Sequence, residues 1–192
     1  MDLESGRGEA ENDEGNASDG AASREPVVFR ALRREDIPTV KELQLDLFPV
    51  RYQDSFYARL FSPGHYTQVG LTLAGELVAV ASARIVDDYE QQLASRSAYI
   101  MTLGVKASHR RRGLGTQAMH RILEILRDDA GCHTAFLHVK TLNDAAVAFY
   151  QRLGFIIPPG GDGFSENHYS IDGQQCAEMR HGTHPHPPPR RR

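Results

Sequence analysis

Residues 99–116, YIMTLGVKASHRRRGLGT, run from β-forming side chains into a turn of arginine and glycine and then into a helix. The stretch Ala98–Lys106 reads as a strand. Residues 114–128 carry Leu114, Ala118, Met119, Ile122, Leu123 and Leu126 on one helical face. TAFLHVKT, residues 134–141, reads as a second strand. A strand, a helix and a strand in that order call for parallel pairing, because the helix carries the chain back across the sheet. The turn at the strand–helix junction presents backbone N–H groups that have no helical partner, and the helix dipole adds positive potential there. Gly113 and Gly115 let a ligand approach the backbone, and Arg110, Arg111 and Arg112 add charge. Together these features predict a pyrophosphate site. No Gly-Lys-Ser/Thr closes the loop, and no third glycine stands three residues after Gly115, so it is neither a Walker loop nor a dinucleotide fingerprint. The alternative at this point is a basic surface turn after a strand.

The rest of the chain extends this unit into a mixed α/β domain. Val27–Leu32 reads as a strand, and residues 34–48 as a helix with Ile37, Val40, Leu43, Leu47 and Phe48 on one face. Pro49 breaks it, and residues 55–61 form a second, brief helix. Residues 66–73 and 76–86 alternate around Ala74-Gly75 as a hairpin. Asn143 caps a helix with Ala146, Val147, Tyr150 and Leu153 on one face, and Gly154 ends it. Residues 155–157 begin a strand, and NHYSI, residues 167–171, reads as another.

Residues 1–25 are acidic and small, and residues 180–192, RHGTHPHPPPRRR, are rich in histidine, proline and arginine. Neither stretch holds enough apolar surface to offset its ordering entropy, so both are expected to be disordered tails around a domain at 26–179. A net charge of −3 supplies no general basic field, and no direct DNA binding is expected. No window approaches the apolar length of a membrane span, and the N-terminus is acidic where a secretory signal would be basic. Two distant cysteines, Cys132 and Cys176, read as thiols of a reducing compartment. The expected location is cytoplasmic, or nuclear as well, without membrane association. His181, His184 and His186 are spaced through prolines with nothing to hold them, and no metal site is expected.

Two signatures carry a family resemblance. Arg110-x-x-Gly113-x-Gly115 resembles the Q/R-x-x-G-x-G/A motif of the GNAT acyltransferases, and LNDAAVAFYQRLGF, residues 142–155, resembles their N-x-x-A-x-x-FY-x-x-x-GF motif. The resemblance covers residues 27–172. It implies the GNAT fold, a mostly antiparallel mixed sheet with one parallel strand pair and flanking helices, and acetyl-CoA as cosubstrate without a metal. It places Leu103, Gly104 and Val105 along the thioester arm. Arg110, Arg111, Arg112, Gly113, Leu114, Gly115 and Thr116 fall around the pyrophosphate, and Asn143 and Tyr150 beside the pantetheine. FPVRYQDSFY (48–57), AYIMTLGV (98–105), residues 136–155 and NHYSIDG (167–173) are similar to protein N-terminal acetyltransferases of the NatE and NatF types, without deciding between them. The family's last strand is usually apolar, whereas QQCAEMR stands here, which predicts a short final hairpin.

The chemistry needs a neutral amine. About a tenth of an α-amino group is neutral at pH 7, against less than about a thousandth of a lysine, so modest general-base help suffices for an N-terminus. The resemblance puts Tyr99 and His138 beside the acceptor amine as bases, acting through an ordered water. It also puts Phe48, Pro49, Val50, Tyr52, Met101 and Tyr169 around the peptide, and implies a preference for methionine followed by a hydrophobic or amphipathic residue. N-terminal peptides are then the partners, with association to a ribosome or an acetyltransferase complex compatible with the family. Two other readings stay open: a GNAT for lysine side chains or a small amine, and a non-catalytic subunit of an acetyltransferase complex.

Overall fold

Alternation of apolar and polar residues sets the strands, and a 3.6-residue apolar period sets the helices that cover them. A computed structural model of the 192-residue chain describes residues 25–48, 50–86, 96–157 and 176–182. The elements are β1 (Val27–Ala31), α1 (Ile37–Leu47), α2 (Asp54–Arg59), β2 (His65–Thr72), β3 (Leu77–Val86), β4 (Ser97–Val105), α3 (Leu114–Asp128), β5 (Thr134–Lys140), α4 (Asp144–Arg152) and β6 (Cys176–Gly182). Short 3-10 turns at Arg34–Asp36 and Ala107–His109 lead into α1 and out of β4. The strands lie in chain order in one sheet. Every neighbouring pair is antiparallel except β4 and β5, which α3 connects in parallel.

Each face of the sheet is buried against helices. On one, Ala79, Ala81 and Ala83 of β3 pack with Leu114, Ala118, Met119, Ile122 and Leu126 of α3 in one buried cluster. Small side chains in the middle strand let the helix sit close, and each fully buried large side chain is worth about 1.5–3 kcal/mol. On the other face, Val69 and Val80 pack with Val40 and Leu43 of α1 and with Tyr57 and Leu60 around α2. The predicted α1 face is partly corrected. Val40, Leu43 and Gln44 are the buried positions, while Ile37, Leu47 and Phe48 are half-buried.

The predicted helix over 34–48 divides into a 3-10 turn and α1. Pro38 in the first turn of α1 lacks an N–H and favours a start there. Asp36, at the junction, accepts from the Arg33 N–H at 2.8 Å and from both terminal nitrogens of Arg30 at 2.7 and 2.8 Å. That arrangement pins the start of α1 to β1.

Strand β4 is irregular in two places. Ser82 faces Thr102 but Ala83 faces Ile100, so β4 holds Met101 as an extra residue in a β-bulge. Pairing of β4 with β5 is confined to Ser97–Thr134, Ala98–Ala135 and Tyr99–Phe136. Beyond Tyr99 the two strands part.

At the C-terminal end, the expected short hairpin is corrected by a seven-residue β6, fully paired with β5 and anchored by buried Met179. Arg180, His181 and Gly182, which composition assigns to the tail, belong to this strand. The strand expected from residue 155 is a single bridge between Ile156 and Arg180. NHYSI lies outside the described residues. No helix among the described residues is long and apolar enough to cross a membrane.

Candidate active site

The arginine-glycine turn follows the end of β4. Gly113 holds φ +76 as the N-cap of α3, a conformation open to glycine at little cost. The first helical bond of α3 runs from the Gln117 N–H to the Gly113 carbonyl at 3.0 Å, so the N–H groups of Leu114, Gly115 and Thr116 precede the helical ladder. They open on a cavity of about 490 Å³ lined by Val105, His109, Arg110, Arg111, Gly113, Leu114, Gly115, Thr116, Phe149 and Arg152. Arg110 Nε donates to the Val105 carbonyl at 3.0 Å, which ties its guanidinium to the end of β4. Three arginines and no carboxylate line the cavity, so its field favours an anion.

Seven of the twelve residues proposed for the cosubstrate therefore meet here: Val105, Arg110, Arg111, Gly113, Leu114, Gly115 and Thr116. Arg112 does not. Its guanidinium donates to the Glu25 carbonyl, joining the arginine-glycine turn to the segment that enters β1. Gly104 lies under α1 instead, where an added Cβ would collide with Leu47 and come within 3.2 Å of Phe48. Leu103 is half-buried against the α3-side core. Asn143 caps α4, its Oδ1 accepting from the Ala146 N–H at 3.1 Å. Tyr150 packs against Phe149 and Phe155, and burial pushes its phenol up to about 12. His109, Phe149 and Arg152 are cavity residues that sequence reasoning missed. Phe149 and Arg152 lie inside the second signature, three residues apart on α4, a spacing that puts both on one side of the helix.

The proposed bases lie at the other end of β4. Tyr99 is the last β4 residue paired to β5, and His138 stands two residues past its partner Phe136, where the strands have parted. Their ring centroids are 5.5 Å apart, and Phe136 lies 5.3 Å from Tyr99. Leu137 and Val139 belong to the core under α3, so His138 faces the opposite side of the sheet, together with Tyr99. The Arg84 guanidinium sits 5.6 Å from the Tyr99 ring centre. Glu178 of β6, in register with His138, brings Oε2 to 3.9 Å from His138 Nε2. That carboxylate was not singled out from sequence.

On this same face, α1 and α2 supply an aromatic row. Phe48 meets Tyr52 edge-on at 6.2 Å, Tyr52 stacks on Phe56 at 4.3 Å, and Phe56 meets Tyr57 at 5.3 Å. Tyr52, Leu47 and Met101 pack against the core beneath α1. Val50 is exposed. Pro49 and Tyr169 lie outside the described residues. Tyr99 and Val105 are six residues apart on one strand, a span of roughly 20 Å. The arginine-lined cavity and the Tyr99–His138 pair thus mark the two ends of that span.

The model of the acetyltransferase (GNAT) family matches residues 37–155. The probable N-acetyltransferase san of Drosophila melanogaster is 34% identical over 135 residues, 70% of this chain and 71% of that protein. N-alpha-acetyltransferase 50 of Danio rerio is 34% identical over 122 residues, 64% of this chain and 70% of that protein. Among solved structures, Arabidopsis thaliana Naa50 in complex with the bisubstrate analogue CoA-Ac-MVNAL superposes with a TM-score of 0.65 at 28% identity. The match covers 81% of this chain and 98% of that one.

Proposed function

The chain belongs to the acetyltransferase (GNAT) family, and from that premise we propose that it transfers the acetyl group of acetyl-CoA to the α-amino group of protein N-termini. The preferred acceptor is methionine followed by a hydrophobic or amphipathic residue. The observation that carries this reading is the pairing of Tyr99 and His138 at the fork of β4 and β5, with the anion cavity at the far end of the same strand.

The named residues divide the work. The N–H groups at the start of α3, with Arg110 and Arg111, bind the pyrophosphate and hold the thioester arm along β4. His138 takes a proton from the acceptor ammonium through an ordered water, and Tyr99 orients that water and the incoming nitrogen. The neutral amine attacks the thioester carbonyl carbon, forming the C–N bond, and the C–S bond breaks. Tyr150 stays protonated at any physiological pH and donates its proton to the departing sulfur. His138 passes the first proton to bulk water and then takes the second from the nitrogen, and Tyr150 regains its proton from solvent, so that one proton is released per turnover. Phe48, Tyr52 and Met101 form an apolar seat for the first acceptor residue, which favours methionine over a charged side chain.

The test is acetyl transfer to peptides beginning Met-Leu, Met-Lys, Ser and Ala. The Met-started peptides are expected to be preferred. Tyr99→Phe and His138→Ala are each expected to lower kcat by about tenfold or more, with little change in KM for acetyl-CoA. Undiminished kcat in both variants would overturn the roles given to Tyr99 and His138.

A further inference from the structure

A carboxylate faces the proposed base from the neighbouring strand. Glu178 and His138 are register partners across β5 and β6, on the face of the sheet that holds Tyr99. Glu178 Oε2 lies 3.9 Å from His138 Nε2, and the two side chains are only 12% and 16% exposed. The other oxygen, Oε1, accepts from Arg180 Nε at 2.5 Å. Arg180 thereby fixes the carboxylate's orientation and also draws on its charge.

We propose that Glu178 is a positioning residue for His138: it orients the imidazole toward the fork of β4 and β5 and stabilises the positive charge the ring acquires when it accepts the amine proton. The proposal rests on the reading of His138 as the base. A carboxylate at this distance favours the protonated ring, because an opposite charge in a partly dehydrated site is poorly screened. Glu178 thereby makes His138 a stronger base than the same ring would be at this site without the carboxylate, and Arg180 tempers that gain.

The charged and titratable groups around the ring are few among the described residues. β3 contributes Arg84, held over the Tyr99 ring, and β4 contributes Tyr99 itself. β5 adds Lys140, two residues along on the same face, and β6 adds Glu178 and Arg180. The end of α1 turns the uncharged Leu47 and Phe48 toward the sheet. Glu178 is the only carboxylate in this set, so the sign of its effect is opposite to that of every cation near it.

The experiment follows His138 directly. Its imidazole resonance, identified by its loss in His138→Gln, is titrated by NMR in the full-length protein, and kcat is measured against pH with both substrates saturating. Glu178→Gln keeps the side chain's size and is expected to lower the His138 titration midpoint by about one pH unit. The acidic limb of kcat should move down with it, and the kcat plateau should fall about three- to tenfold, with KM for acetyl-CoA unchanged. Arg180→Gln is expected to move the midpoint the other way, because it removes the competing cation. Glu178→Asp is expected to recover part of the loss. A merely structural Glu178 would give parallel losses in the Gln and Asp variants, with no opposed shifts. Unshifted midpoints in both Glu178→Gln and Arg180→Gln, or shifts of the same sign, would overturn the proposal. If His138→Gln retains full kcat, the reading of His138 as base fails first, and the two failures are told apart.

Discussion

Arg111 holds φ +63, and it is the only non-glycine residue with a positive φ among the described residues. A left-handed backbone at such a residue costs about 1–2 kcal/mol. The cost falls in the turn that lines the anion cavity, where the side chain supplies charge. Arg111→Gly is therefore expected to raise stability by about 1 kcal/mol while raising KM for acetyl-CoA about three- to tenfold. Denaturant melts and steady-state kinetics would read the two effects separately, and a loss of both stability and affinity would contradict this assignment. At this scale the sequence was partly legible. The spacing of Arg110, Gly113 and Gly115 marks the turn because local chain geometry sets it. That Arg112 turns away to the Glu25 carbonyl is a long-range contact, and nothing in the run of three arginines distinguishes the third. Glu178 escapes notice for the same reason, since its meaning depends on the register between β5 and β6.

At the scale of elements, α1 must be placed with care, because its end carries Leu47 and Phe48 over Gly104 and leads into the aromatic row. Asp36 sets the other end. The Arg30 guanidinium, in two hydrogen bonds, and the Arg33 N–H hold its carboxyl below the usual carboxylate range, against the opposing effect of burial. A lowered folded-state pKa means that the stabilisation is full above the unfolded value near 3.8. It is lost as pH falls through the lower folded value. Asp36→Asn is expected to cost about 1.5–3 kcal/mol at pH 7 and progressively less below about pH 4, as urea melts at several pH values would show. A cost that does not change between neutral and strongly acid pH would contradict the role given to the ion pair. The long helix α3 was legible to the residue, since fifteen positions of regular apolar period leave little choice. α1 was less so. Its predicted face included Leu47 and Phe48, but the stripe that reaches full burial runs through Gln44, which tertiary packing rather than polarity places inside.

For the whole molecule, one arrangement joins the parts: strand β4 links the arginine-lined cavity to the Tyr99–His138 pair, and its early parting from β5 opens the sheet between the two strands. Sequence order and the βαβ unit foretell the parallel pair. The parting itself was not legible, because hydrogen bonding between strands stops after three residue pairs while both strands continue with unchanged alternation. The central claim is that this fork presents an α-amino group, not a lysine side chain, to the thioester. The most direct measurement is a single peptide with a free Met-Leu N-terminus and an internal lysine, acetylated by the full-length protein and mapped by tandem mass spectrometry at early times. The account predicts acetylation at the α-amine in at least about hundredfold excess over the lysine, in keeping with the far larger neutral fraction of the α-amine. Acetylation mainly on the lysine would contradict it.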